Sequence, residues 1–102
     1  MASRLKLQEE LENLLGNDNV YFQPPESLRM NYPCIRYELR GATPFRANNK
    51  AYTVHKSYSV VHIYKDPDED LISEFLNTFQ MCDHDRHYTA DGLNHDVYTI
   101  FF

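Results

Sequence analysis

Four side chains late in the sequence, Cys82, His84, His87 and His95, are of the types that bind soft metal ions or move protons. Thiolate and imidazole suit zinc, and Cys-x-His-x-x-His gathers three candidate ligands in one short segment. That segment, Met81 to Tyr88, reads as a strand. On a regular strand Cys82 and His84 share a face and His87 points to the other, so no tight knuckle collects the set. A small metal-binding domain on these four residues is therefore the alternative reading, set against histidines at the surface or end of a sheet. A nucleophilic trio of Cys82 with a histidine and an aspartate is available in composition, but no spacing fixes its geometry.

The second group with chemical potential is acidic: Asp66, Asp68, Glu69 and Asp70. Their alternation resembles the start of a calcium loop, yet the loop glycine and the distal bidentate glutamate are missing at the required spacing. Asp66-Pro67 followed by carboxylates is instead the pattern of a helix start, with a capping aspartate, proline in the first turn and acids that favour the positive end of the helix dipole. No phosphate-binding loop, dinucleotide fingerprint or Gly-x-Ser-x-Gly occurs. The residues predict neither catalysis nor a cofactor.

The elements that carry these groups follow from hydrophobic spacing. A helix is expected from about Ser3 to Leu15, with Leu7, Leu11, Leu14 and Leu15 on one side, glutamates on the other and Gly16 as the stop. Val20 to Gln23 reads as a short strand ended by Pro24-Pro25. Glu26 to Tyr32 is a connector with a turn of helix near Ser27 to Met30; Tyr32 before Pro33 is held extended, and an aromatic before proline admits a cis bond although trans is the general preference. Cys34 to Leu39 alternates as a half-buried strand. Arg40 to Lys50 reads as a long basic hairpin loop, either a solvated hairpin tip or an arm that reaches a neighbouring subunit or an acidic surface. Ala51 to Lys65 is the longest extended run. Tyr52, Val54, Lys56, Tyr58, Val60, His62 and Tyr64 lie on one face, and its far end is apolar on both faces, as in a strand covered on both. Ile72, Phe75, Leu76 and Phe79 then mark a helix running from the acidic start to about Thr78. After the Met81–Tyr88 strand, a turn spans Thr89 to His95 and a last strand runs from Asp96 to Phe102.

The expected fold is α+β: one domain over 1–102 with a mostly antiparallel sheet of four to five strands, two helices mainly on one face, the order α-β-β-β-α-β-β, and an arm at about 40–50. A chain of 102 residues can bury such a core without staples, so Cys34 and Cys82 read as free thiols of a reducing compartment. The first residues show no apolar leader, and no run approaches a membrane span; a cytosolic chain is expected. The net charge of −5 argues against non-specific nucleic-acid binding. Eight Tyr and six Phe with no Trp are more aromatic surface than a small core needs, and tyrosine favours sites that are apolar on one side and wet on the other, interfaces included. The sheet's doubly apolar end then suggests completion by neighbouring copies, with Tyr58 and Tyr64 facing partners and Val61 and Ile63 facing the core.

Several strings add a resemblance: Asn19-Val20-Tyr21-Phe22-Gln23-Pro24-Pro25-Glu26, Met30-x-Tyr32-Pro33-Cys34-Ile35-x-Tyr37, Asp66-Pro67-Asp68, and Asp85-Arg86-His87-Tyr88-Thr89-Ala90-Asp91-Gly92-Leu93-Asn94-His95-Asp96-Val97-Tyr98. The chain resembles small head–tail (neck) proteins of long-tailed bacteriophages and prophages, and is most similar to the tail terminator, or tail-completion, family. That resemblance implies a non-enzymatic structural virion protein, assembled in the host bacterial cytoplasm. It implies a homo-oligomeric ring, typically of six subunits, that caps the tail tube protein and docks it to the head connector or adaptor. DNA would pass through without specific binding, and no membrane is involved. A head-closure or adaptor role in the same neck is the neighbouring alternative. The residues expected at protein contacts are Arg40, Phe45, Arg46 and Lys50 of the arm, and Tyr58, Tyr64 and Tyr98 of the sheet.

Overall fold

The structure, a computed structural model, describes residues 4–47 and 50–102, with side chains for 4–42 and 56–102. The elements are α1 (Arg4–Leu15), β1 (Val20–Phe22), β2 (Cys34–Ala47), β3 (Lys50–Tyr64), α2 (Ile72–Thr78), β4 (Cys82–Ala90) and β5 (Leu93–Phe101). This is the α+β order that the periodicity predicts. The strands form a five-stranded sheet ordered β1-β2-β3-β5-β4. Its pairings are antiparallel apart from the parallel β1–β2 edge.

The leucine stripe of α1 turns Leu7 and Leu11 fully into the core, while Leu5 stays exposed. Gly16 ends the helix at φ +85°, and its amide reaches the Glu12 carbonyl at 2.9 Å. The helix is tied to the sheet by polar contacts as well. Tyr37 donates to Gln8 Oε1 at 2.6 Å, and Gln8 Nε2 donates to the Val20 carbonyl at 2.9 Å. From α2, Phe75 stacks on Tyr98 with centroids 4.0 Å apart and planes 10° from parallel. Leu7, Leu11, Ile35, Tyr37, Tyr58, Val60, Phe75, Phe79, Tyr98 and Ile100 belong to one buried cluster, so both helices cover the same face.

The acidic helix start is split. Asp66 accepts from the Asp68 amide at 2.9 Å, but it caps a 3-10 turn over Pro67–Glu69, and α2 begins only at Ile72. Within the predicted stripe, Phe75 and Phe79 are buried and Leu76 is exposed. The connector before β2 makes a single hydrogen-bonded turn at Glu26 and Ser27, the Leu28 amide donating to the Pro25 carbonyl at 3.0 Å, rather than a turn of helix at Ser27 to Met30, and the Tyr32–Pro33 bond is cis. The proposed cap Ser3 lies outside the described residues.

Two further expectations are corrected. The stretch Arg40–Lys50 is not a long loop: β2 continues to Ala47 and β3 begins at Lys50, paired from Ala42↔Lys56 to Ala47↔Lys50 with a register shift between Phe45 and Arg46. A shift between Leu39 and Gly41 leaves Arg40 as an extra residue where this ribbon leaves the sheet. Pairing of β3 with β5 stops at Ser57↔Phe101, so beyond that point the ribbon has only its own two strands. The arm is therefore strand, not loop. It helps make the molecule long, 50 × 28 × 23 Å, with a radius of gyration of 14.5 Å against about 13 Å for a compact chain of this length.

The second correction concerns the faces of β3. Tyr58, Val60, His62 and Tyr64 all point into the helix-covered core, each no more than 3% exposed. Val61 and Ser59 lie half-buried on the opposite face, with Ile63 buried among them. The helices claim the aromatic face because aromatic rings offer the larger area for burial. Tyr58, Tyr64 and Tyr98 are thus core residues of the single chain, not surface for a partner.

Candidate functional site

The β4–β5 hairpin turns on Asp91 and Gly92, both at positive φ (54° and 74°). Two positive φ values in a two-residue loop mark the type I′ turn for which Asp-Gly is preferred. The turn is shorter than the Thr89–His95 expectation, and β5 starts at Leu93.

Register across the sheet then decides which groups meet. One row runs Ile35, His62, Asp96, His87 from β2 to β4, and the next runs Tyr37, Val60, Tyr98, His84. Asp85 is an extra residue on β4, since His84 pairs Tyr98 and Arg86 pairs Val97. This bulge reverses the face of everything after it. Contrary to the regular-strand expectation, His84 and His87 therefore share the core-side face.

Both reach the carboxylate of Asp96, which is fully buried. His87 Nδ1 lies 2.7 Å and His84 Nε2 3.1 Å from Oδ1, while the Tyr64 hydroxyl donates to Oδ2 at 2.6 Å. Burial by itself would raise the Asp96 pKa; donors from Tyr64, His84 and His87 outweigh it and hold the carboxyl below its usual value. The same burial, together with the ionised Asp96, pushes the Tyr64 hydroxyl up, so it remains a donor. Next to this group, Asn94 Nδ2 donates to the Lys65 carbonyl at 3.2 Å and closes the end of β3 against β5.

A carboxylate that orients an imidazole is half of a general-base arrangement. The nearby thiol does not complete it: burial, then Asp83 and Asp85, raise Cys82 to about 11, leaving it protonated at neutral pH. The inner nitrogens of His84 and His87 are already committed to Asp96. His95 faces the opposite side, where its ring stacks on Tyr88 at 4.6 Å and its Nδ1 sits 3.2 Å from the Leu93 carbonyl. Among the described residues, no group of three His, Cys, Asp or Glu side chains is placed to hold a metal ion. The geometry is that of a polar clamp joining β3, β4 and β5.

Two polar atoms in this region are buried without a hydrogen-bond partner among the described residues: Tyr98 Oη and His62 Nδ1. His62 is 1% exposed and stacks on Tyr64 at 4.6 Å. Desolvation depresses its pKa to about 4, against the opposing pull of Asp96 and Asp70, so the ring is neutral at pH 7. It lines a cleft of about 360 Å³, together with Leu15, Pro33, Leu71 and the acids Glu69 and Asp70. Sequence reasoning passed over His62, although a histidine in the middle of a buried apolar alternation was a signal.

Of the expected contact residues, Arg40 is exposed and donates to Thr99 Oγ1 at 2.9 Å; Thr99 in turn donates to Asp85 Oδ2 at 2.6 Å. That chain of bonds anchors the root of the ribbon to the bulge on β4. The side chains of Phe45, Arg46 and Lys50 lie outside the described residues. No helix among the described residues is long and apolar enough to cross a membrane. In comparisons with family models, curated proteins and solved structures, nothing matched this chain.

Proposed function

We propose that the chain is a structural subunit of the neck of a long-tailed bacteriophage, a tail terminator that forms a ring on the tail tube and docks it to the head connector. The observation that carries this reading is the two-stranded ribbon that continues β2 and β3 beyond the sheet. An isolated two-stranded ribbon is marginal in water, and a domain gains nothing for its own core by extending one. Such a ribbon fits a subunit whose arm is completed by a neighbour. Family resemblance in the strings around Tyr21, Tyr32, Asp66 and Asp85–Tyr98 supplies the biological setting. The clamp at Asp96 fits a structural role, because its imidazoles and phenol are consumed in mutual hydrogen bonds.

Inactivating the gene in the producing phage tests the reading. The expected result is overlong or unfinished tails that fail to join filled heads. Normal free tails with leaking heads would move the protein to head closure, and normal virions would remove it from the neck altogether.

A further inference from the structure

We infer that the cleft between His62 and the acids Glu69 and Asp70 receives a lysine or arginine side chain carried by the hairpin ribbon of a second copy of this chain. The inference rests on the ring reading and names the contact that would build the ring.

The cleft is chemically specific. Its mouth carries Glu69 and Asp70, with Asp66 and Asp68 beside them on the same exposed turn. No ion pair joins these carboxylates to a cation among the described residues. Asp70 Oδ1 accepts from the Ile72 amide at 3.2 Å, which leaves its second oxygen for a partner. His62, which lines the cleft, also carries a buried Nδ1 that no described group satisfies. A buried polar atom without a partner is destabilising, and a neutral imidazole can accept an N–H at that nitrogen. Exposed carboxylates beside a neutral imidazole are suited to an ammonium or guanidinium group.

The matching cations are on the ribbon. Between Arg40 and Lys56 the sequence holds Arg40, Arg46, Lys50 and Lys56 and no Asp or Glu, in a chain whose net charge is −5. Strand β3 runs from the ribbon to the cleft. Lys50 opens β3 and His62 lies near its other end, a separation of about 40 Å at the usual strand rise. The ribbon therefore cannot fill the cleft of its own chain. A contact between different patches at opposite ends of one subunit is heterologous, the kind that closes into rings. Complementary charge would set its register and exclude wrong pairings.

Reversing each side, and then both, is the test. Full-length wild type, Arg46→Glu with Lys50→Glu, Glu69→Lys with Asp70→Lys, and the combined fourfold variant are compared by sedimentation velocity, alone and with isolated tail tubes. Circular dichroism checks that each is folded. Each double variant is expected to weaken assembly by about tenfold or more, and the fourfold variant to regain most of the loss, because like charges then face opposite ones again. His62→Phe, which keeps the ring packing but removes the acceptor, should also weaken assembly. If wild type assembles and the double variants assemble equally well, the inference is overturned while the ring reading stands. Weakening without recovery in the fourfold variant also overturns it, because the two patches then do not meet each other. Failure of wild type to assemble on tubes overturns both readings.

Discussion

At the scale of single residues, two buried groups make sharp predictions. His62 titrates near 4 in the folded chain, against an ordinary value of 6.5. Above pH 6.5 the ring is neutral in both folded and unfolded chains, so stability does not depend on it. Below that the unfolded chain takes up the proton first, and stability falls as pH drops from about 6.5 toward about 4. Linkage puts the loss at about 2 kcal/mol by pH 5. Asp96, whose pKa is lowered, adds a further loss only at pH values below its ordinary 3.8. Urea unfolding between pH 7 and pH 4.5 should therefore reveal a decline that His62→Phe largely abolishes; an unchanged pH profile in that variant would contradict the assignment. The second group is Tyr98, whose hydroxyl is buried without a partner among the described residues while its ring stacks on Phe75. Removing an unsatisfied hydroxyl relieves a desolvation penalty. Tyr98→Phe should be neutral or stabilising by urea midpoint, whereas Tyr98→Ala should lose about 3–5 kcal/mol from the core. By contrast Asp96→Asn, which leaves Tyr64, His84 and His87 without their common carboxylate, should cost about 2 kcal/mol or more.

At the scale of elements, the ribbon and the bulge carry the most information. Replacing Thr43–His55 by Asn-Gly joins Ala42 to Lys56, which already face each other across the ladder, through a preferred two-residue turn. The shortened chain should unfold within about 1 kcal/mol of wild type, since the deleted segment has no third strand to pair with. It should not assemble on tail tubes in sedimentation. A large loss of stability would mean that the ribbon belongs to the core. Helix stripes, strand alternation and the Asp-Gly turn were legible because each is a local rule applied to adjacent residues. The bulge at Asp85 was not, because an extra residue on one strand is defined only against its partner, β5. Missing it misplaced His87 by a face and hid the Asp96 clamp. The ribbon was misread for a related reason: Gly41, Pro44 and Asn48-Asn49 look like loop chemistry, and only cross-strand pairing keeps most of that stretch extended.

At the scale of the whole molecule, both helices cover one face of the sheet, and the ribbon gives the chain a long axis. The opposite face has its own order: Arg36, Val61, Val97 and Arg86 form one row, and Arg40, Thr99 and Asp85 bond across it. Val61→Asp, on this half-buried face, should therefore remain folded with a loss near 1–2 kcal/mol in urea unfolding, while Tyr64→Ala should lose several kcal/mol. This ranking is the reverse of what the sequence implied when both faces of β3 looked equally apolar.

By itself the sequence determined the α+β class, the order of elements, the stripe of α1 and the register-setting turn at Asp91-Gly92, because spacing and turn chemistry act over a few neighbouring residues. Tertiary structure alone decided which face of β3 the helices would cover, that His84 and His87 would meet at Asp96, and that His62, lining a cleft with Glu69 and Asp70, would keep a nitrogen without a partner among the described residues. Those outcomes depend on competition between two apolar faces for the same helices, and on pairing between strands far apart in the chain, neither of which leaves a local mark.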